Sequence, residues 1–292
     1  MQMYQANEPE NNPFNLLVAD ITHKCNMECA NCYIPNRDIP DMDVEELYKF
    51  LKKLPKRIIV RLIGAEPTMR NDLPDIIRNV KKCGHNVSLT TNGLKLSSPK
   101  YVEKLKAAGL RMVLISMNGA DSPDAYDELD GGPHYCAMKM KALAYCMKNN
   151  MIINTGTIIA KGVNEDAFER QYELFRDTAA YMKYKPRVKP ILRFKSVGHI
   201  GRHMKESSYS LGELRTFLKK QIPEAKKVEV QSPNHATLCD LYETDDVYIR
   251  IIDWTVDEEG IPDSGNEFRG RITPEWKVAP FFEHVKENEF NY

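Results

Sequence analysis

Short apolar runs alternate with stretches of helical spacing from about residue 15 to residue 220. Runs rich in Val, Ile and Leu that end in polar or glycine-containing segments are typical of strands, whereas apolar residues three and four positions apart predict amphipathic helices. The pattern predicts strands at residues 15–21, 57–63, 86–90, 111–117, 152–159 and 189–195. It predicts helices at residues 43–54, 71–83, 99–108, 135–149, 165–182 and 211–220.

Strands and helices alternate strictly, which predicts a parallel sheet with right-handed crossovers. A curved sheet of six such units is an incomplete barrel, so the predicted fold class is α/β, a partial (β/α)6 barrel of the TIM type. We expect a polar N-terminal segment at residues 1–13, a barrel core at 14–222 and a C-terminal extension at 223–292. The extension, which alternates like a strand at residues 246–254, is expected to cover the open side of the barrel.

Composition is ordinary for a globular protein, since 42% of the 292 residues are hydrophobic and 28% are charged. The 41 basic and 41 acidic residues cancel, which argues against a dedicated nucleic-acid or anionic-membrane partner. The sequence contains neither a signal-type apolar core near its start nor an apolar run of about 18 residues. A cytoplasmic location is therefore expected, with the seven cysteines kept as reduced thiols.

Three cysteines lie close together directly after the first predicted strand. Cys25, Cys29 and Cys32 have the spacing C-x3-C-x2-C. Thiolates are soft ligands, and three in one tight loop suit an iron–sulfur cluster. Three ligands are one fewer than a [4Fe–4S] cluster has irons, so one iron keeps open positions for a substrate or cofactor if no distant cysteine supplies the fourth ligand. A zinc site or three reduced thiols are the alternatives, but structural zinc wants four ligands and no paired C-x2-C or H-x3-H follows nearby.

Polar stretches recur where the predicted strands end. In β/α barrels the active site gathers at the C-terminal ends of the strands, so these stretches are expected to share one rim with the cysteines. They are residues 64–67, 91–93, 116–119, 161–164 and 193–196.

The cysteine spacing, together with Gly64-Ala65-Glu66-Pro67, resembles the signature of the radical SAM superfamily, whose GGEP motif has a second glycine where this chain has Ala65. The resemblance covers roughly residues 14–200. It implies a [4Fe–4S] cluster on the three cysteines and S-adenosyl-L-methionine (SAM) at the open iron. It further implies that SAM is cleaved reductively to a 5'-deoxyadenosyl radical that takes a hydrogen atom from substrate, with electrons from a partner such as flavodoxin or ferredoxin.

The same resemblance implies roles for individual residues. Residues 64–67 would meet the amino group of SAM through backbone carbonyls and Glu66, and Asn92 would face SAM or support its own loop. Ser116 and Asn118, expected to share a face of their strand, would contact the ribose or carboxylate. The SAM-binding candidates are Tyr33, Gly64, Ala65, Glu66, Pro67, Asn92, Ser116 and Asn118.

Two departures from the family pattern affect these expectations. The family usually has an aromatic residue before the third cysteine, where this chain has Asn31, so adenine is expected to contact backbone near Tyr33 instead. The Arg-Gly pair common in related enzymes is replaced by Asp130-Gly131.

Lys161, Arg193 and Lys195 also lie near strand ends. They are candidates for binding the SAM carboxylate or an anionic substrate, and solvated side chains are the alternative.

Cys239 is the one cysteine after residue 146, so an auxiliary iron–sulfur cluster is not expected. A thiol near the substrate could give a hydrogen atom to a substrate radical from the opposite face, which would produce epimerisation. Cys239 is therefore the catalytic candidate, with a buried inert cysteine as the alternative.

The expected function is hydrogen abstraction from a polar small molecule (a sugar, nucleotide or natural product), followed by epimerisation or rearrangement. A peptide-modifying enzyme is the alternative; it is disfavoured because neither a separate N-terminal recognition domain nor auxiliary-cluster cysteines are expected. An iron–sulfur electron carrier or sensor is a further alternative, and residues 64–67 argue against it because a carrier needs no amino-acid-binding edge.

Overall fold

The computed structural model describes residues 6–30, 32, 34, 36–197, 208–229, 240–252 and 269–280. The strands are β1 (Leu16–Asp20), β2 (Ile59–Ile63), β3 (Asn86–Thr91), β4 (Met112–Ser116), β5 (Ile152–Ile159), β6 (Ile191–Ser196), β7 (Lys226–Val228), β8 (Leu241–Glu243), β9 (Tyr248–Ile252), β10 (Arg269–Ile272) and β11 (Val278–Pro280). The helices are α1 (Val44–Lys52), α2 (Leu73–Lys82), α3 (Pro99–Ala108), α4 (Pro123–Asp130), α5 (Tyr135–Lys148), α6 (Ala167–Tyr181) and α7 (Leu211–Gln221).

The described strands form one sheet in the order β11-β10-β1-β2-β3-β4-β5-β6-β9-β8-β7. Strands β1 to β6 are consecutive parallel neighbours, which confirms the partial barrel of strand–helix units. The described part of the C-terminal extension adds to this sheet at both edges: β10 pairs in parallel with β1, and β9 pairs in parallel with β6. An open sheet leaves unpaired N–H and C=O groups on its edge strands, and these two additions satisfy them.

Several helix boundaries follow from local sequence. Asp43 caps α1, accepting hydrogen bonds from the backbone N–H groups of Glu45 and Glu46. Helix α3 ends at Gly109, which has a left-handed φ of 111°. Helix α4 was not predicted, although Ser122 caps it and Gly131 ends it in a left-handed conformation.

The two faces of the barrel sheet differ in chemistry. Side chains alternate across each strand, so one residue in two points at the helices. That face is apolar and forms the core with the helices, as at Leu17, Leu62 and Leu89, which are fully buried. The opposite face carries polar and charged side chains such as Arg61 and Ser116, and it bounds a cavity.

Candidate active site

A cavity of about 280 Å³ lies at the C-terminal ends of the parallel strands. Of the residues predicted to bind the cluster or SAM, eight line it: Cys25, Cys29, Cys32, Gly64, Ala65, Asn92, Ser116 and Asn118. Glu66 and Pro67 are buried behind the lining. Tyr33 and Cys239 lie outside the described residues.

The loop of residues 64–67 fastens the start of the cysteine loop (residues 25–32) to the sheet. The backbone N–H of Ala65 donates to the carbonyl of Thr22 at 2.9 Å, and that of Glu66 donates to the carbonyl of Lys24 at 2.9 Å. Gly64 has a φ of +143°, and a Cβ there would lie 2.1 Å from the Thr22 carbonyl oxygen. Only glycine fits this close approach of two backbones.

Ala65 occupies the position of the second glycine of the family motif without backbone strain. The positive-φ residues of the described chain do not include it. The substitution of alanine for glycine is therefore compatible with the conformation of this loop.

The Glu66 carboxylate joins the loops that follow β2 and β3. Its side chain is fully buried. One oxygen, Oε1, accepts from the Thr68 N–H at 3.0 Å, the Thr68 hydroxyl at 2.6 Å and the Thr91 hydroxyl at 2.7 Å, while Oε2 accepts from the Asn92 N–H at 2.6 Å. Glu66 positions the two loops through these contacts, and Oε2, which accepts one of them, retains capacity to accept a further bond.

Asn92 contacts both the cysteine loop and its own turn. Its side-chain amide donates to the Asn26 side-chain oxygen at 2.8 Å and accepts from the Leu94 N–H at 3.0 Å. A glycine follows at position 93 with a φ of +84°. The Asn-Gly pair therefore turns the chain and also contacts the cysteine loop.

A buried polar network lies beside the cysteines. Asn118 donates to Asp130 at 2.7 Å and accepts from the Ile158 N–H at 3.0 Å. Asp130 also forms an ion pair with Lys139, and both side chains are only 1% exposed. Asn118, Asp130 and Lys139 all line the cavity, as does Ser116 at the end of β4. Lys139 thus places a buried positive charge beside Asp130 in the cavity lining.

The three cysteine thiols are half-buried and free of disulfide bonds. The N–H of Cys32 donates to the Cys29 carbonyl at 3.2 Å, and Arg37 donates to the Cys32 sulfur at 3.2 Å. Burial, with the Asp130 carboxylate as the next cause, raises the pKa of the Cys29 thiol to about 12. A bound metal ion has the opposite effect on the thiol, because a coordinating thiol is deprotonated outright.

The donor set fits a [4Fe–4S] cluster. Three soft thiols line one cavity beside a loop that presents backbone polar groups. Within the described ranges, no three His, Cys, Asp or Glu side chains are close enough together to hold a single metal ion. A four-iron cluster asks for a wider spacing than a single ion, since each thiolate binds a different iron.

The cavity is also lined by basic residues to which the sequence assigned no role, among them Arg37, Arg61 and Lys139. Two of the three basic candidates from the sequence, Arg193 and Lys195, line it as well. The sequence did contain a signal for Arg61: a charged residue inside the otherwise apolar strand β2 indicates a side chain that faces the cavity and not the helices. Lys161, the third candidate, is exposed and lies 5.4 Å from the centre of the Tyr209 ring instead of lining the cavity.

Comparisons with known proteins agree with this site. The sequence model of the Radical SAM superfamily matches residues 20–175. The probable GTP 3',8-cyclase of Methanococcus aeolicus is 38% identical over 131 residues, which is 42% of this chain and 43% of that protein. The 7,8-dihydro-6-hydroxymethylpterin dimethyltransferase of Methanocaldococcus jannaschii is 28% identical over 157 residues, 50% of this chain and 30% of that protein. The matches thus span less than half the length of these curated relatives.

A solved structure supports the fold over a longer range. Streptococcus suis SuiB bound to S-adenosylmethionine superposes with a TM-score of 0.62 at 16% identity, covering 92% of this chain and 60% of that one. The chain belongs to the radical SAM superfamily, whose enzymes use a [4Fe–4S] cluster and SAM. None of the helices in the described part of the chain has the length and apolar character needed to cross a membrane.

Proposed function

We propose that this chain is a radical SAM enzyme that abstracts a hydrogen atom from a polar small molecule. The observation that carries the proposal is the convergence of the three cysteines, the Gly64 and Ala65 backbone and the inward polar side chains on one cavity. When bound, the cluster and SAM supply a 5'-deoxyadenosyl radical. The electron for this chemistry would come from a reducing partner such as flavodoxin or ferredoxin.

The residues of the chain hold and orient the cofactors. Cys25, Cys29 and Cys32 would bind the cluster, and the backbone of residues 64–67 would accept from the SAM amino group. Ser116 would contact the SAM ribose or carboxylate at the end of β4. Lys139 is one of the basic side chains of the described lining, and its pairing with Asp130 fixes its position. Apolar side chains such as Val18 and Ile63 complete the lining and help to exclude water from the radical.

Indirect support for SAM comes from residues that hold these groups in place. The buried Glu66 carboxylate and the Asn92 amide fix the 64–67 loop and the cysteine loop relative to each other. A site that must place a cluster and a cofactor side by side needs this kind of prior order. Asn118 does the same for Asp130.

The proposed substrate is a sugar, nucleotide or natural product, and the proposed outcome is epimerisation or rearrangement. The wall of the cavity carries hydrogen-bonding and charged groups that suit hydroxyl, amine and anionic substituents. Cys239 remains the proposed hydrogen-atom donor. With the true substrate in deuterated water, Cys239→Ala should lose label uptake into product; undiminished product with unchanged label would remove this role.

A peptide substrate is the second candidate. SuiB has been crystallised bound to its precursor peptide SuiA, and that structure superposes with a TM-score of 0.61. At 16% identity the likeness concerns the fold alone, so it does not favour a peptide over a small molecule for this chain.

Fractionated cell extract separates the two candidates. The reconstituted protein is incubated anaerobically with SAM, dithionite and either the low-mass filtrate or the retained macromolecules, and 5'-deoxyadenosine is quantified. We expect the low-mass filtrate to stimulate SAM cleavage, and protease treatment of the filtrate to leave the stimulation unchanged. Stimulation by a protease-sensitive fraction alone would transfer the proposal to peptides.

A further inference from the structure

Basic side chains cluster on the inner face of the barrel. Arg61 on β2 and Arg193 on β6 both line the cavity that holds the cysteines. In the register of the sheet, Arg193 pairs with Gly156 on β5 and with Arg250 on β9. Among the described lining residues, the acidic one is Asp130 and the basic ones are Arg37, Arg61, Lys139, Arg193, Lys195 and Arg269.

Arg61 is buried and Arg193 is partly buried on the wall of one cavity. Arg61 is only 8% exposed, and its Nε makes one long hydrogen bond, 3.4 Å, to the Ser88 hydroxyl. Burial and the charge of Arg250 lower the pKa of Arg61 to about 10. Burial, with Arg61 as the next cause, lowers the pKa of Arg193. Two cations that repel each other at a desolvated site are costly, and an anion between them would offset that cost.

One hydrogen-bond donor of Arg193 lacks a partner among the described residues. Within the part of the chain that the structure describes, its Nε–H is buried and has no hydrogen-bond partner. A buried donor of this kind costs free energy until a ligand or water pairs with it. The neighbouring inward position is Gly156, which also lines the cavity, so no side chain fills the space beside the guanidinium from that strand.

The one acidic side chain among the described lining residues does not supply the anion. Asp130 is engaged by Lys139 and Asn118. SAM carries two positive charges and one negative charge, and an oxidised four-iron cluster with three thiolates carries one net negative charge. Together these cofactors add no net charge, so among the described lining residues the positive charge of Arg61 and Arg193 stays in excess. Titration of the SAM-saturated protein distinguishes a substrate anion from the SAM carboxylate.

We propose that Arg61 and Arg193 form a subsite for an oxyanion group of the substrate, a phosphate or a carboxylate. The guanidinium group is planar and always charged, and its fork of N–H donors matches the geometry of both anions. The subsite would hold the anionic end of the substrate on the inner face of the barrel, in the same cavity as the cysteines. The inference rests on the proposed function in one respect, that substrate enters this cavity.

Matched probes test the subsite. The reconstituted, SAM-saturated protein is titrated by calorimetry with phenyl phosphate, benzoate and neutral benzamide at constant ionic strength. We expect one or both anions to bind at least tenfold more tightly than benzamide, and the tighter of the two identifies the source of the oxyanion. Arg61→Gln and Arg193→Gln should each weaken the favoured anion at least tenfold and leave benzamide unchanged. Arg176→Gln on α6, a half-exposed arginine outside the cavity lining, is the matched control and should change nothing.

Two further readouts keep the result decisive. SAM affinity is measured on every sample, and where a glutamine variant loses it, the charge-preserving Arg61→Lys or Arg193→Lys replaces that variant and should retain the preference for anions. Equal binding of anions and benzamide by the native protein, or anion binding that both glutamine substitutions leave intact, would overturn the subsite. Formation of 5'-deoxyadenosine without anion preference would refute the subsite alone. Anion binding without SAM cleavage, either with or without low-mass cell extract, would refute the proposed function alone.

Discussion

The buried Glu66 carboxylate offers a quantitative test of how the cofactor-binding loops are held. Glu66→Gln keeps the size of the side chain but removes its charge and replaces one oxygen with an NH2 group. The amide oxygen can still face Thr68 and Thr91, and the new NH2 group then faces the Asn92 N–H, which loses its acceptor. An unsatisfied buried donor costs about 1–3 kcal/mol, and each of the other three bonds weakens by about 1 kcal/mol when its acceptor becomes neutral.

Part of this loss is offset, because a neutral amide is less costly to bury than a carboxylate. We therefore expect Glu66→Gln to lower the free energy of unfolding by about 2–4 kcal/mol, in the range of severe single substitutions. Urea unfolding of the cluster-free protein, followed by circular dichroism, measures the change. The control is Glu103→Gln on the exposed face of α3, which should change the free energy by less than about 0.5 kcal/mol. Equal stability of Glu66→Gln and the native protein would refute the positioning role of Glu66.

Three other substitutions test separate parts of the site. Gly64→Ala should prevent stable cluster binding, since its Cβ would lie 2.1 Å from a carbonyl oxygen, and iron and sulfide analysis after reconstitution would show native content if this is wrong. Lys139→Met should cost about 3–5 kcal/mol of stability by leaving Asp130 buried and unpaired; adding Asp130→Asn should recover part of the loss in urea unfolding, and an additive double variant would contradict the pairing. Arg37→Gln should lower the reduction potential of the cluster, because hydrogen bonds to cluster sulfurs help to set that potential. An unchanged potential in an EPR-monitored redox titration would exclude a contribution from the Arg37 contact to Cys32.

The barrel strands could be predicted from the sequence because each strand is encoded by a short local pattern of residues. Each of β1 to β6 is a short stretch rich in apolar and β-branched residues, and alternation with helices predicts the parallel arrangement. The pairing of β10 with β1 was not accessible in this way. It joins segments about 250 residues apart, and the four residues Arg269–Ile272 carry two arginines, which conceal a strand in a search for apolar runs.

The residues of the site likewise include some that the local sequence could assign and some that it could not. Gly64 could be assigned from its motif, and the 2.1 Å approach of the Thr22 carbonyl gives that assignment a physical reason. The contacts of Glu66 could not be predicted from the sequence. Two of its four donors, the Thr91 hydroxyl and the Asn92 N–H, lie 25 and 26 residues further along the chain, and the Thr68 hydroxyl takes an orientation that only the folded structure determines. Lys139 was missed because a helical lysine is ordinarily solvated, and its burial depends on the carboxylate of Asp130.

The central claim is that the cavity supports reductive cleavage of SAM at a cluster bound by Cys25, Cys29 and Cys32. The most direct measurement is anaerobic formation of 5'-deoxyadenosine from SAM and dithionite by the reconstituted protein, quantified by mass spectrometry with and without low-mass cell extract. Cys29→Ala is the control. We expect product from the native protein in at least one of these arms and none from Cys29→Ala. A native protein that contains an intact cluster and binds SAM, yet forms no more product than Cys29→Ala in either arm, would contradict the central claim.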